Sequence, residues 1–347
     1  MKKKLGVVFG GMSNEHDVSI LSASSVVRYL DKSKYEILFV YIDRNGIWYY
    51  SDELSHIIDL DLKKYSKVEN ICEFLKQFEV VFPVLHGKYG EDGTIQGLFE
   101  MLGVSYVGCG VLSSAIAMDK VITKIILDKA NIQQAKYCYV KKTGKMFSFA
   151  DDNFSIIDLD CVCERVEKCL KYPIFVKPAN SGSSIGISKV VNKNEMKKAI
   201  EMASSIDDRI LFEENIDARE IECAVLGNDD VKVSCLGEIK PASDYYTYDA
   251  KYNNASSQLI IPANLNDDLT NRVRDIAKKA YQVIDGKGLS RIDFFVNEEN
   301  NEIYLNEINT MPGFTNISMY PKLWENSGIV YSELLDELIN LALEKKK

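Results

Sequence analysis

Arg291 and Asp293 stand two apart in one apolar run, and Glu307 and Asn309 stand two apart in another. The stretch Asn297-Glu-Glu-Asn-Asn301 lies between the two runs. Alternate residues of a strand share a face, so a hairpin over 291–296 and 302–309 gathers one cation and three oxygen-bearing side chains on one surface. Asp, Glu and Asn are hard oxygen donors suited to Mg²⁺, which takes few carboxylates and completes its shell with phosphate and water. Two such ions bridging nucleotide phosphates would satisfy the cluster. An exposed hairpin face with a cross-strand ion pair is the plainer alternative.

Lys177 closes the short run 172–177, and Asn180-Ser-Gly-Ser-Ser-Ile-Gly186 follows it. Successive backbone N–H groups in such a loop, here spanning Ser183 and Ser184, form an anion-binding concavity, and a lysine adds a point charge. The lysine precedes the glycines, so this is not the GxxxxGK[ST] phosphate loop, and 6–11 makes no GxGxxG fingerprint. Lys124 upstream is a second cation. Glu213 and Glu220 flank a segment between strands, where a carboxylate can accept from an adenine amino group or a ribose diol, or can simply be solvated. The loop from Leu85 to Gln96 follows a buried strand, the edge at which open α/β sheets hold ligands. In it His86 is either a ligand contact or a satisfied hydrogen bonder. Glu15, in the loop after the first strand, either caps the next helix or pairs with an ammonium group.

These residues need a frame. Leu5–Phe9, 35–42 and 80–85 read as buried strands, with an amphipathic helix from near Ser19 to Leu30 between the first two, the rhythm of an open parallel α/β sheet. A helix is expected over 118–130, strands over 172–177 and 209–213, and a helix over 194–204, which together make a small α+β unit. Strands over 221–226 and 231–239, a helix over 266–284, the hairpin and a last helix over 332–343 follow. Three domains are expected: 1–112, 113–211 and 212–347. The polar stretch 240–258 carries Tyr245, Tyr246, Tyr248 and Tyr252, which is unusual for a disordered linker.

The chain has 347 residues, 46% of them hydrophobic and 27% charged, which suits two or three packed domains and argues against disorder. A net charge of −9 with no basic aromatic stripe argues against nucleic acid as a partner. No stretch approaches the roughly 20 apolar residues of a membrane span, and the run after Met1 is too short for a signal peptide. Eight cysteines without a CxxC pair read as mostly buried thiols in a reducing compartment, so a cytoplasmic location is expected.

Taken together, the constellations resemble the D-alanine–D-alanine ligases, which have the ATP-grasp fold. The resemblance is carried by Gly10-Gly-x-Ser-x-Glu15-x-x-Val-Ser19, His86-Gly-x-x-Gly-Glu-Asp-Gly93 and Met118-Asp-Lys120. It continues through Lys177-Pro-x-x-x-Gly-Ser-Ser184, Tyr248-x-Ala-Lys-Tyr252, Arg291-x-Asp293 and Glu307-x-Asn-Thr-x-Pro-Gly313. The motifs run in family order over essentially the whole chain. The resemblance implies a three-domain fold holding ATP between the central and C-terminal domains, with two Mg²⁺ (or Mn²⁺) on Asp293, Glu307 and Asn309. It implies Lys124, Lys177 and Ser184 at the phosphates and Glu213 and Glu220 near adenine and ribose. Glu15, with Ser183 and Tyr252 hydrogen-bonded nearby, would bind the first D-alanine, beside His86. Arg291 and the N–H of Gly313 would stabilise a tetrahedral oxyanion. Ser318 would contact the carboxylate of the second substrate, Lys251 and Met319 would also serve the substrates, and 240–258 would be a lid that excludes water. Homodimers are common in the family.

The reaction implied joins two D-alanines through an acyl phosphate, for cell-wall precursor synthesis. D-serine as second substrate is the alternative within the family, and an ATP-grasp protein that binds nucleotide without turnover is a further one. Ala250-Lys251-Tyr252 is missing from D-lactate-using relatives, and D-serine-using relatives carry arginine where Met319 stands, so D-alanine is expected. Asn316-Ile317 replaces a common Ser-His, Met311 a commoner serine, and Asn215 an aromatic often found near adenine.

Overall fold

The structure, a computed structural model, describes residues 2–53, 64–150, 155–240 and 258–344. The tyrosine-rich stretch, with Lys251 and Tyr252, lies outside these apart from its two ends.

The first sheet runs in the order β4-β3-β2-β1-β5-β6, from strands β1 (Lys3–Gly10), β2 (Tyr35–Ile42), β3 (Trp48–Ser51), β4 (Ser66–Lys67), β5 (Val80–Pro83) and β6 (Ser105–Tyr106). Its core of β2, β1, β5 and β6 is parallel, and β3 and β4 add antiparallel at one edge. Period-two alternation sends Val7, Phe9 and Phe82 into one core and Val8, Val40 and Val81 into another, which is why these strands read as unbroken apolar runs. Helix α1 (His16–Tyr29) begins three residues before the expected start. Helices α2 (Ile71–Leu75) and α3 (Thr94–Leu102) complete this layer, and α3 takes Thr94, Ile95 and Gln96 out of the expected loop.

Helix α5 (Lys120–Lys129) fills the span expected over 118–130, and α4 (Val111–Met118), for which there is no expectation, precedes it. Asp119 breaks the run: its backbone is extended, and its carboxylate caps α5 by accepting from the N–H groups of Val121 and Ile122, both at 3.1 Å.

The second sheet, β11-β10-β12-β7-β8-β9, is antiparallel: β7 (Tyr137–Thr143), β8 (Met146–Phe149), β9 (Ile156–Ile157), β10 (Ile174–Pro178), β11 (Ser188–Val190) and β12 (Arg209–Glu214). Val140, Val176, Ile210 and Phe212 pack on helices α6 (Leu159–Cys169) and α7 (Lys193–Ser204). The alternate residues Tyr139, Lys177, Leu211 and Glu213 face the other way.

The third sheet, β15-β14-β13-β16-β17, is also antiparallel: β13 (Arg219–Gly227), β14 (Lys232–Lys240), β15 (Gln258–Ile260), β16 (Gly288–Asn297) and β17 (Glu302–Asn309). Ile221, Cys223, Ile292 and Phe294 bury against α8 (Asp267–Val283). Their neighbours Glu220, Glu222, Arg291 and Asp293 therefore occupy the opposite face. Helices α9 (Met319–Asn326) and α10 (Tyr331–Glu344) return to the first sheet, where Leu334, Leu338 and Ile339 share one core with Val7, Phe9 and Leu226.

All eight cysteines are free thiols, but only Cys109, Cys163 and Cys223 are buried, which corrects the expectation that most would be. No helix among the described residues is long and apolar enough to cross a membrane.

Candidate active site

A cavity of about 640 Å³ opens where the three sheets meet, lined by loops from each. The parallel strands β1 and β5 deliver Glu15 and His86 from the loops at their carboxyl ends, and the loop after β10 delivers Ser181 to Ser184. The third sheet contributes Glu222, Arg291, Glu307 and Asn309, followed by Gly313, Ser318 and Met319.

Glu15 is the residue that precedes α1, yet its side chain makes no capping bond. Its Oε1 accepts a hydrogen bond from the Ser183 hydroxyl instead. Two glycines make room for it: a Cβ on Gly182 would lie 2.7 Å from Oε2, and one on Gly87, whose φ is +71°, would lie 2.5 Å from it. Ser183 and Ser184 both hold positive φ, at 51° and 60°, a conformation costing roughly 1–2 kcal/mol per side-chain-bearing residue. The motif Met118-Asp-Lys120 restrains this loop. Lys120 Nζ donates to the Ser181 carbonyl at 2.5 Å, Asn180 donates to Asp119 at 3.2 Å, and Arg209 pairs with the same carboxylate.

His86 is buried and neutral. Its Nδ1 lies 3.1 Å from the Met311 carbonyl, which can only accept, so Nδ1 carries the proton and Nε2 accepts from Ser22 at 3.0 Å. Burial lowers its pKa, against an opposing pull from the charge of Glu15. Glu91, half-buried in the same loop, accepts from the Gly87 N–H at 2.6 Å. Burial and then the charge of Glu15 push its carboxyl up to about 8.

The ribbon of β16 and β17 pairs in the register that its alternation implied, with Arg291 opposite Asn309 and Asp293 opposite Glu307. Arg291 grips Asp293 bidentately, Nε to Oδ1 at 2.8 Å and Nη2 to Oδ2 at 2.7 Å, and Nε also lies 3.0 Å from Glu222 Oε2. Burial works against the guanidinium charge, but Asp293 and Glu222 outweigh it and hold the pKa well above the ordinary value. Nη1 makes no hydrogen bond among the described residues, and neither does the backbone N–H of Gly313. Asn309 donates to Asp293 Oδ2 at 2.9 Å. Two carboxylates and a carboxamide side by side on one strand pair are the donor chemistry that a hard divalent cation takes, so the residues present fit such an ion.

Lys124, Lys177 and Glu213 line a small adjoining hollow that shares Lys120 and Glu307 with the cavity. Glu213, expected beside adenine, bridges both lysines: Oε1 to Lys124 Nζ and Oε2 to Lys177 Nζ, each at 2.5 Å. Burial alone would raise its pKa, but the two ammonium groups outweigh burial and hold it at about 2. Glu220 is half-buried on β13, on the same strand face as Glu222 but not among the cavity-lining residues.

Glu91, Asp119, Lys120 and Glu222 carried no assigned role from the sequence. The first three did sit inside the singled-out motifs, which was their available signal.

Two family models together cover most of the chain: the "D-ala D-ala ligase N-terminus" over residues 4–109 and the "D-ala D-ala ligase C-terminus" over 126–340. A D-alanine–D-alanine ligase of Acetivibrio thermocellus is 44% identical over 99% of this chain and 96% of its own length. D-alanine–D-alanine ligase B of Clostridium tetani is 48% identical over 100% and 95%. Among solved structures, the D-alanine–D-alanine ligase of Coxiella burnetii matches with a TM-score of 0.84 at 34% identity, over 99% of this chain and 95% of that one. The VanG D-Ala:D-Ser ligase of Enterococcus faecalis matches with a TM-score of 0.86 at 36% identity, over 99% and 100%. Matched from end to end in sequence and in the arrangement of its three sheets, the chain belongs to the D-alanine–D-alanine ligase family and has its ATP-grasp fold.

Proposed function

We propose that the protein uses ATP to join two D-alanines into D-alanyl-D-alanine, a precursor for peptidoglycan. One observation carries this reading: Glu15, the Ser181–Ser184 loop and the Arg291, Glu307 and Asn309 face line one cavity, although they come from three sheets. The carboxylate of the first D-alanine attacks the γ-phosphorus of ATP, ADP leaves, and an acyl phosphate forms. The amine of the second D-alanine then attacks the carbonyl carbon, loses a proton, and the C–O bond to phosphate breaks.

The chain's own groups suit each demand. Glu15, oriented by Ser183, holds the ammonium of the first substrate, with Tyr252 as a further partner. Lys124 and Lys177 turn from Glu213 to the phosphates, and Ser184 presents its N–H to them. Glu213 and Glu220 then lie toward adenine and ribose. Arg291 Nη1 and the Gly313 N–H point to the developing oxyanion; one such donor is typically worth about 10²–10³ in rate. His86 braces the loop at the first substrate. Lys251 serves the substrates from the lid.

Asp293, Glu307 and Asn309 are the residues that would hold two Mg²⁺, or Mn²⁺. When bound, such ions neutralise phosphate charge and align the transfer. We place the enzyme in the cytoplasm as a homodimer.

The likeness to a D-Ala:D-Ser ligase raises D-serine as the second substrate. Met319 argues for D-alanine. It is buried at the cavity wall, and it offers a methyl-sized apolar contact with no partner for a hydroxyl. Phosphate release with ATP, Mg²⁺ and D-alanine, with the product identified by mass, tests the reading. D-serine and D-lactate as competitors test the second site, and Met319→Arg should raise D-serine use. Glu307→Gln should abolish turnover in a protein that still folds. No dipeptide from the wild type would end the proposal.

A further inference from the structure

The cavity wall is rich in acids. Glu15, Glu91, Glu222 and Glu307 line it, against the three cations Lys120, Arg291 and Lys322. Two of those cations are engaged. Arg291 is held by Asp293 and Glu222, and Lys120 donates to the Ser181 carbonyl. Lys322 differs. It is half-buried on α9, and among the described residues its ammonium makes neither an ion pair nor a hydrogen bond; only its backbone carbonyl is used, by Asn326 at 2.9 Å.

Its place on the helix is informative. Lys322 follows Ser318 by four residues and Met319 by three, so the three side chains share one helix face, and all three line the cavity. Ser318 has little capacity to spare, because its Oγ accepts from the Thr315 N–H at 3.0 Å and bonds the Thr315 hydroxyl at 2.7 Å. A second amino acid whose amine is neutral for attack carries one net negative charge, on its carboxylate. Its carboxylate enters a wall with more acidic than basic side chains, so it gains from a cation that no described protein acid pairs with, in addition to Lys251.

We propose that Lys322 is that cation: it binds the carboxylate of the second amino acid and so aims the amine at the acyl carbon. The inference rests on the ligase reading and adds a residue to it.

The test is steady-state phosphate release with ATP and Mg²⁺, resolving the KM values of the two D-alanine sites. Lys322→Met keeps the aliphatic stem and loses the charge. It should raise the second-site KM about 10–100-fold, as for loss of a charge-assisted hydrogen bond, with the first-site and ATP KM unchanged. Lys322→Arg should stay within a few-fold of wild type. D-alaninamide, which lacks the carboxylate, provides a readout on the wild type itself. The wild type should discriminate against it as second substrate, and Lys322→Met should lose that discrimination. Equal use of D-alanine and D-alaninamide by the wild type would overturn the inference. So would a Lys322→Met variant with an unchanged second-site KM, or with only its ATP or first-site KM altered. A wild type that forms no dipeptide would instead defeat the ligase reading, so the two failures are distinguishable.

Discussion

Ser183 donates its hydroxyl to Glu15 across 168 residues of sequence, tying the loop after β10 to the loop after β1. The same carboxylate packs against the Cα of Gly182, where a Cβ would come within 2.7 Å of Oε2. Ser183→Ala should therefore lower kcat/KM for the first D-alanine about 10–100-fold, the range for losing a hydrogen bond to a charged group. Gly182→Ala should do the same by displacing Glu15 rather than by unbonding it. In a double-mutant cycle with Glu15→Gln, the Ser183→Ala effect should largely vanish. Additive losses would mean that Ser183 acts on something other than Glu15.

Glu213 stands between the buried Lys124 and the half-buried Lys177, and its removal leaves both without a counter-charge. Glu213→Gln should destabilise the protein by about 3–5 kcal/mol, the usual cost of breaking a buried ion pair from one side. Its pKa is held at about 2, below the ordinary 4.5, so its contribution is fully present above pH 4.5 and fades as pH falls toward 2. Urea unfolding of wild type and variant should accordingly converge in acid. ATP, whose phosphates can replace the lost carboxylate, should restore part of the deficit. A constant gap down to pH 2 would show that the lysines do not stabilise Glu213.

The ribbon was readable because its information is local. Alternation places Arg291 and Asp293 on one face, a short polar turn returns the chain, and the pairing of Asp293 with Glu307 follows. Glu213 was not readable in the same way. Its partner Lys177 shares its face only because Phe175 pairs with Glu213 in the antiparallel register, and Lys124 arrives from a helix that sequence gives no means of docking. The short strands β3, β4, β6, β8, β9 and β11 are too brief to show a period. Glu222 reads as a polar interruption in a strand until Arg291 is seen beside it.

Asp293 is already paired with Arg291 and accepts a hydrogen bond from Asn309, which bears on divalent-cation binding. A cation must compete with these bonds, and nucleotide phosphates supply the remaining ligands. Mn²⁺ titrated into the protein alone should bind at least tenfold more weakly than with a non-hydrolysable ATP analogue, roughly 1.4 kcal/mol or more of coupling. Calorimetry reads the difference. Asp293→Asn should weaken both titrations and also lower stability, because Arg291 then keeps only Glu222. Equal affinity with and without nucleotide would refute the dependence.

Glu91 gives the opposite pH signature to Glu213. Burial and the neighbouring charge of Glu15 raise its carboxyl to about 8, so the folded state retains a proton that the unfolded chain has released above pH 4.5. That contribution to stability is full below pH 4.5 and is lost progressively as pH climbs to about 8. A neutral Glu91 also leaves Glu15 as the anion of the pair, free to meet an ammonium group. Glu91→Gln fixes the neutral form, so its unfolding free energy should fall less between pH 5 and pH 8 than that of the wild type. His86 is present in both proteins, and its own lowered pKa acts below pH 6.5, so the difference between the two curves above pH 7 reports Glu91. Urea midpoints measured from pH 5 to 9 decide the matter. Parallel curves would mean that Glu91 is ionised in the folded protein throughout, and that Glu15 lies near a second negative charge.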